Sequence, residues 1–371
     1  MLDYHGIIFA YRTTPALGEL VRKRTAASLP FCGRYRLIDF ALSSLMNAGI
    51  RDVGIVLRRD YQSLLDHISS GKVWDMSRKT GGLRILPPFG LPDYHTGNYS
   101  GTMEALIAVS EYIRDIPQEH VVLMLGDLVA NIDLAPVLAQ HERSGVPITA
   151  VCTDQVPNGP HHRLVPGEDG LVKEVLFYRE GDDEGVASLE AYVINKELLV
   201  DMIDGSDARN LHRFHKDALA HYLEEGGKMG YYVHKGYAQV VRSVEAYNRC
   251  NMDMLDPVKR GQLFPAERPV RTKTHEGVST YYGVNAVSRN SLVADNCIIE
   301  GEIENCIVFS GVRIGEGAKL KNCILMRGAK VEKYAHLTNV ISDKDCVFSI
   351  GTELTGSPTL PMVVPKGKTI V

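Results

Sequence analysis

Several side chains in this 371-residue chain have types and positions that could do chemistry. Asp127 follows the apolar run at residues 121–125 after one glycine. A carboxylate at the end of a buried strand can bind a hard cation such as Mg²⁺, or it can cap the next turn. Arg22, Lys23 and Arg24 form a basic cluster, which indicates either a solvated face or an effector-binding patch.

Histidines form a second group of candidates. His161 and His162 are adjacent, and His212, His215 and His221 follow within one stretch. Because no cysteine or carboxylate stands at ligand spacing beside the pair His212 and His215, we expect surface histidines rather than a metal site.

The elements that must position these residues can be read from the hydrophobic pattern. Apolar runs at residues 6–10, 53–57, 121–125 and 148–152 predict strands covered on both faces. Residues 38–49 and 103–113 have apolar side chains at helical spacing, and Gly49 suits a helix end. This alternation predicts an α/β domain over residues 1–256, with a doubly wound, mostly parallel, Rossmann-like sheet.

A different pattern begins near residue 290. Apolar side chains recur every six residues in two registers, which are Val308, Ile314, Leu320, Met326 and Cys306, Val312, Ala318, Ile324. A six-residue repeat is typical of a left-handed parallel β-helix with one short strand per side. We expect this β-helix over residues 290–371, after a proline-containing polar linker at 257–289.

The composition excludes several classes of protein. The 41 basic and 45 acidic residues give a net charge of −4, so no basic excess supports nucleic-acid binding. No apolar run approaches the ~20 residues of a membrane span. The seven cysteines form no C-x-x-C pair, and the first residues do not resemble a signal peptide. These features predict a cytoplasmic protein that does not bind membranes or nucleic acid.

Sequence motifs resemble one enzyme family over nearly the whole chain. Residues 34–40, R-Y-R-L-I-D-F, resemble the G-K-Y-R-I-I-D-F segment of glucose-1-phosphate adenylyltransferases, also called ADP-glucose pyrophosphorylases. Further similar segments lie at 29–33, 47–50, 101–105, 125–127, 251–253 and 310–315. The resemblance implies a nucleotidyltransferase domain followed by a β-helix. It also implies the conversion of ATP and glucose 1-phosphate to ADP-glucose and pyrophosphate in glycogen biosynthesis.

The phosphate-binding loop of that family is altered here. The family has a G-G-x-G-T-R-L loop and a later lysine, which bind and neutralise phosphate groups. An ungapped alignment places its glycines on Tyr11, Arg12 and Thr14, its arginine on Ala16 and its lysine on Ala26. The loop is therefore missing as a unit.

The metal site implied by the resemblance is also incomplete. The family holds Mg²⁺ with two aspartates, of which one matches Asp127 and the other falls on Val240. A valine cannot ligate a hard cation. We therefore expect no cofactor in this chain, with Asp127 as the one remaining metal ligand at most and Mg²⁺ used by a catalytic partner.

The sugar-phosphate site departs from the family as well. Arg179 stands one residue from the family's lysine, either as a substitute phosphate ligand or as a solvated charge. Glu190 takes the place of a glycine, and its carboxylate would repel an anionic sugar phosphate. The residues that could retain ligand binding are Asp127, Arg36, Arg179, Gly101 and Thr102.

These losses predict a regulatory, catalytically deficient subunit of glucose-1-phosphate adenylyltransferase. It would assemble with the catalytic subunit as a hetero-oligomer, expected to be a tetramer, and could bind a small-molecule effector. Two alternatives stay open. One is an active sugar-phosphate nucleotidyltransferase with a divergent site. The other is a hexapeptide-repeat acyltransferase, for which His336 is the one histidine after residue 290.

Overall fold

The structure is a computed structural model that describes residues 3–58, 60–87, 99, 101–155, 161–177, 184–209, 211–274 and 276–371. The chain divides into two compact units. The first comprises Met1–Arg12, Ile38–Val240 and Leu263–Arg271, and the second comprises Thr13–Leu37, Val241–Gln262 and Thr272–Val371. The predicted domain boundary at residue 256 differs from this division, because Thr13–Leu37 and Val241–Gln262 group with the β-helix.

Strands and helices alternate through the first 263 residues. The strands are β1 (Tyr4–Phe9), β2 (Pro30–Phe31), β3 (Tyr35–Arg36), β4 (Val53–Val56), β5 (Leu83–Leu86), β6 (His120–Leu125), β7 (Leu128–Ala130), β8 (Ile148–Thr153), β9 (His162–Pro166), β10 (Val172–Phe177), β11 (Val186–Asn195), β12 (Met229–His234) and β13 (Ala238–Val240). The helices are α1 (Ile38–Asn47), α2 (Gln62–Ile68), α3 (Thr102–Ala108), α4 (Ser110–Asp115), α5 (Leu134–Ser144), α6 (Lys196–Arg209), α7 (Ala220–Glu224), α8 (Val244–Asp253) and α9 (Pro257–Leu263). Short 3₁₀ turns span Pro15–Val21, Ala26–Ser28 and Lys72–Trp74, and a π-helical turn spans Phe214–Leu219.

The first unit is built on a sheet whose middle strands are parallel. Its described strands follow the order β10-β9-β11-β6-β1-β4-β5, and β8 pairs with both β11 and β12. Strand β1 runs parallel to β4 and β6, with Gly6 opposite Val53 on one side and Val122 on the other. Strand β11 is antiparallel to β6 and β8. Every residue of β1, β4 and β8 is buried, which confirms the predicted strands and the α/β fold.

Helix α1 confirms one predicted helix, whereas the other is divided. Gly49 lies just beyond α1 and has a φ of 82°, a left-handed conformation that glycine adopts without strain. The stretch predicted as one helix over 103–113 is two helices, α3 and α4. Val109 separates them, with φ −116° and ψ 19° outside the helical region, so the helical hydrogen bonding restarts after it.

The second unit contains the predicted left-handed β-helix. Its strands are β14 (Tyr281–Tyr282), β15 (Val287–Arg289), β16 (Leu292–Val293), β17 (Ile298–Ile299), β18 (Glu302–Glu304), β19 (Ile307–Val308), β20 (Arg313–Ile314), β21 (Lys319–Lys321), β22 (Ile324–Leu325), β23 (Lys330–Val331), β24 (His336–Thr338), β25 (Val340–Ser342), β26 (Val347–Phe348), β27 (Glu353–Thr355), β28 (Met362–Val364) and β29 (Thr369–Ile370). They form three parallel sheets of six, five and five strands, one for each side of the coil.

The two predicted six-residue registers lie in the core of the coil as far as Ala318 and Leu320. After that each register slips by one residue, so that Cys323 and Leu325 take the core positions predicted for Ile324 and Met326. Asparagines at one corner, Asn290, Asn305, Asn322 and Asn339, have positive φ and stack through amide hydrogen bonds of 2.7–3.3 Å. The β-helix begins before residue 290, because β14 pairs with β17 and β15 pairs with β18. The segment predicted as a linker at 257–289 therefore contains α9 and parts of the first coil.

Among the described residues, the helices are too short or too polar to cross a membrane.

Candidate functional site

The carboxyl ends of two parallel strands place the candidate residues of the first unit. Phe9, the last residue of β1, lies opposite Leu125, the last residue of β6. Tyr11 and Arg12 follow β1, and Asp127 lies in the turn between β6 and β7. In parallel α/β sheets, ligands bind at this edge.

Arg12 is held in an ion pair at this edge. Its Nη2 atom lies 2.7 Å from Oε2 of Glu190 and 3.3 Å from Oγ1 of Thr102. Burial would lower the pKa of Arg12, but the carboxylates of Glu190 and Asp127 raise it more. Arg12 is therefore a permanent cation held by the protein's own carboxylates.

Glu190 occupies a strained position in strand β11. Its φ is 53°, in the left-handed region that favours glycine, at a shift in the register between β11 and β8. The Glu190 N–H donates to Ser188 Oγ at 3.1 Å, and the Glu190 side chain is 2% exposed. The backbone thus keeps a conformation suited to the family's glycine, whereas the side chain brings a charge into the interior.

Two histidines contact the same carboxylate. His215 Nε2 lies 3.0 Å from Glu190 Oε2, and His162 Nε2 lies 3.8 Å from Glu190 Oε1. The Tyr192 hydroxyl lies 2.8 Å from His215 Nδ1. The expectation of surface histidines is wrong at His161, His162 and His215, which are 7%, 9% and 6% exposed. No sequence signal reveals this cluster, since β9, β11 and the π-helical turn bring it together only in the folded chain.

The two positions of the family's metal aspartates are close in the first unit. Asp127 is buried, and the next residue, Leu128, lies opposite Val240 in the antiparallel pair β7–β13. One carboxylate and one aliphatic side chain therefore stand where the family resemblance places two carboxylates.

Tyr11, Gly101 and Thr102 are explained by contacts within the first unit. Burial raises the pKa of Tyr11, whose ring packs edge-on against Tyr99 at 5.0 Å. A Cβ atom on Gly101 would lie 2.2 Å from the carbonyl oxygen of His212, so the chain admits only glycine there. Thr102 is buried and accepts a hydrogen bond from Arg12.

The second unit holds the remaining positions of the altered loop. Thr14 Oγ1 donates to the carbonyl oxygen of Arg242 at 2.6 Å. Ala16 is exposed in the turn Pro15–Val21, and Ala26 is buried in the turn Ala26–Ser28.

The basic cluster predicted at residues 22–24 is divided. Arg22 and Lys23 are exposed, whereas Arg24 is buried and forms an ion pair with Asp343. Burial, together with the charges of Arg36 and Arg24, lowers the pKa of Lys344 to about 8. Arg36 is thus part of a basic cluster within the second unit.

Two other candidates have no place in these clusters. Arg179 lies outside the described residues. The side chain of His336 is 49% exposed on strand β24, with Nδ1 3.8 Å from Glu353 Oε1.

Comparisons with known proteins agree with this architecture. A nucleotidyl transferase family model matches residues 16–256, and a GlmU-like C-terminal hexapeptide model matches residues 277–358. A glycogen biosynthesis protein GlgD from Bacillus subtilis is 36% identical over 98% of this chain and 95% of its own length. A glucose-1-phosphate adenylyltransferase from Clostridium beijerinckii is 32% identical over 91% of this chain and 90% of its own. Another, from Fusobacterium nucleatum, is 29% identical over 82% and 80%.

Two thirds of the chain matches one family model, and similarity to the GlgD protein extends over almost its full length. The chain therefore belongs to the nucleotidyl transferase family, in the group that contains the GlgD proteins and the glucose-1-phosphate adenylyltransferases.

Proposed function

We propose that the chain is a regulatory, catalytically deficient subunit of glucose-1-phosphate adenylyltransferase in glycogen biosynthesis. The observation that carries this proposal is the ion pair between Arg12 and Glu190. Both residues stand where the resemblance places glycines, one in the phosphate-binding loop and one in the sugar-phosphate site.

The ion pair opposes substrate binding in two ways. The Arg12 guanidinium is already neutralised by Glu190, so a phosphate would have to compete with a carboxylate at 2.7 Å. The Arg12–Glu190 pair also offers no net positive charge to an anionic sugar phosphate, in a buried site where water screens charge poorly. Replacing both glycines therefore weakens substrate binding by more than the loss of two backbone contacts with phosphate.

Three further positions, Val240, Ala16 and Ala26, lack side chains that could stabilise the negative charge of the phosphate groups. Val240 offers no oxygen to a Mg²⁺ ion beside Asp127. The methyl groups of Ala16 and Ala26 cannot neutralise a triphosphate or a departing pyrophosphate. Because such groups act as a unit in catalysis, losing several of them leaves little rate.

The proposed partner is a catalytic homologue, bound in a hetero-oligomer that we take to be a tetramer. The second unit supports this part of the proposal because large apolar side chains are exposed on it. They include Val278, Tyr281, Tyr282, Val284, Tyr334, Ile350 and Leu360. Exposed apolar side chains that lie together, as Tyr281 and Tyr282 do in β14, are typical of sites that another protein covers. A small-molecule effector would act through this assembly.

The test is an assay of ADP-glucose synthesis by the purified, folded chain alone, with a catalytic homologue as the positive control. We expect a rate at the level of the no-enzyme blank. Losing one donor at a developing charge typically costs ~10²–10³ in rate, and several groups are missing here. A turnover of ~1–10³ per second would instead support the alternative of an active enzyme with a divergent site.

A further inference from the structure

We propose that His162, Glu190 and His215 form a binding site for one divalent transition-metal ion, with zinc as the best-matched ion. The three side chains offer two imidazole nitrogens and a carboxylate oxygen, all within 4.8 Å of one another. Small side-chain movements would bring these atoms to the 2.0–2.2 Å bond lengths typical of zinc. This inference does not depend on the proposed function, and it goes against the sequence-based expectation of no metal beyond Asp127.

A hydrogen-bond chain fixes the orientation of one ligand. Glu190 N–H donates to Ser188 Oγ, which lies 3.1 Å from the Tyr192 hydroxyl, and that hydroxyl lies 2.8 Å from His215 Nδ1. If Tyr192 donates to Ser188, it accepts from His215 Nδ1–H. The lone pair of His215 Nε2 then faces the Glu190 carboxylate, with Oε2 at 3.0 Å, which is the orientation that a metal ligand needs.

At metal sites, the ring nitrogen of a histidine that does not bind the metal commonly has a hydrogen-bond partner, as His215 Nδ1 has in Tyr192. This partner fixes the tautomer and the direction of the metal-binding nitrogen. Tyr192 is therefore assigned as a positioning residue, because it would act through His215.

The surrounding charge suits a cation. Glu190 and Asp127 provide two carboxylates beside the single guanidinium of Arg12. These three side chains together carry a net negative charge. Arg12 pairs with Oε2 of Glu190, whereas Oε1 faces His162 and is the oxygen assigned to the metal.

The ligand set indicates which ions would bind. Imidazole suits zinc and other first-row transition metals, whereas Mg²⁺ prefers an all-oxygen environment with several waters. Three protein ligands leave a fourth position for water or an anion, as at open zinc sites.

The experiment titrates Zn²⁺ into the full-length chain after metal removal, using calorimetry, and repeats the titration with Co²⁺, whose visible absorption reports its ligands. We expect one equivalent of Zn²⁺ per chain and no uptake of Mg²⁺ at this site. His162→Gln and His215→Gln should each weaken Zn²⁺ binding by about 100-fold or more, and Tyr192→Phe by about 10- to 100-fold. Arg12→Gln should tighten binding, because it removes a competing cation.

His221→Gln is the matched control, since His221 is a more exposed histidine of the same unit and should leave the affinity unchanged. Circular dichroism of each variant separates loss of a ligand from loss of folding, and the buried residue Tyr192 tests the site without removing a ligand. The proposal is overturned if the folded chain takes up no Zn²⁺. It is also overturned if both histidine variants retain binding, or if Co²⁺ shows thiolate bands from the cysteines.

Discussion

At the scale of single residues, the central feature is a pair of charges at two positions where the family resemblance places glycines. Arg12 and Glu190 lie far apart in the sequence, yet each neutralises the other inside the first unit. A lone charge at either position would be costly to bury, whereas the pair is tolerated. Sequence alignment identified both departures, but their contact depends on the register shift in β11, which no local pattern reveals.

The ion pair should be measurable as an energetic coupling. Arg12→Ala removes the guanidinium from a buried carboxylate, and we expect the free energy of unfolding to fall by about 1–3 kcal/mol. The double variant Arg12→Ala/Glu190→Gly should lose less than Arg12→Ala and Glu190→Gly together, with a coupling of about 0.5–3 kcal/mol. Urea unfolding measures each value. Arg22→Ala, at an exposed ion pair with Glu19, should change stability by less than about 0.5 kcal/mol. Additive effects at residues 12 and 190 would show that the pair contributes nothing.

A second residue-scale prediction concerns pH. Burial lowers the pKa of His5 to about 4, and the Coulombic effect of Asp52 only partly opposes the shift. Above the ordinary pKa of about 6.5, His5 is neutral in both states and contributes no pH dependence. Below it, the unfolded chain binds a proton first, so stability falls until the pH reaches about 4.

The free energy of unfolding should fall between pH 7 and pH 4.5 in both proteins. We expect this fall to be about 2 kcal/mol smaller in His5→Gln than in the parent chain. The free energy of unfolding at the two pH values is the measurement. His141, whose pKa is also lowered to about 4 by burial, would keep part of the pH dependence in the variant. The control is His336→Gln, since that side chain is half exposed. Equal pH dependence in the parent chain and His5→Gln would contradict the prediction.

At the scale of elements, the strands and coils that can be predicted from the sequence are those with a regular pattern of buried side chains. Strands covered on both faces give apolar runs, and the β-helix gives a six-residue register, because each periodicity follows directly from the geometry of its backbone. The sequence does not reveal the break between α3 and α4, because Val109 is apolar like its helical neighbours. The first coil was missed because Tyr281 and Tyr282 are exposed at its edge and interrupt the pattern.

The β-helix repeat predicts that substitutions at two adjacent residues of one strand have different effects on stability. In β24, Leu337 is completely buried inside the coil and His336 points outward. Leu337→Ala should therefore cost about 2–5 kcal/mol in the unfolding transition of the second unit. His336→Ala should stay within about 0.5 kcal/mol of the parent chain. Equal effects of the two variants in chemical unfolding would contradict the six-residue assignment at this coil.

At the scale of the whole molecule, the chain keeps both modules of its family, whereas other residues stand at positions to which the resemblance assigns the chemistry. The fold could be predicted because it depends on many apolar positions, each of which tolerates substitution. The site could be predicted only as a set of losses, since the new contacts of Arg12, Glu190 and His215 arise from tertiary structure. A regulatory subunit needs the scaffold and its surfaces, and it must bind one state of its partner better than another.

The most direct test of this account is the substrate saturation curve of a catalytic homologue, measured for ADP-glucose synthesis with and without a stoichiometric amount of this chain. We predict a stable complex in which the apparent affinity for substrate or activator changes by about 5- to 150-fold, equivalent to a coupling of 1–3 kcal/mol. The contradicting result is a saturation curve that the chain leaves unchanged, whether or not the two proteins form a complex.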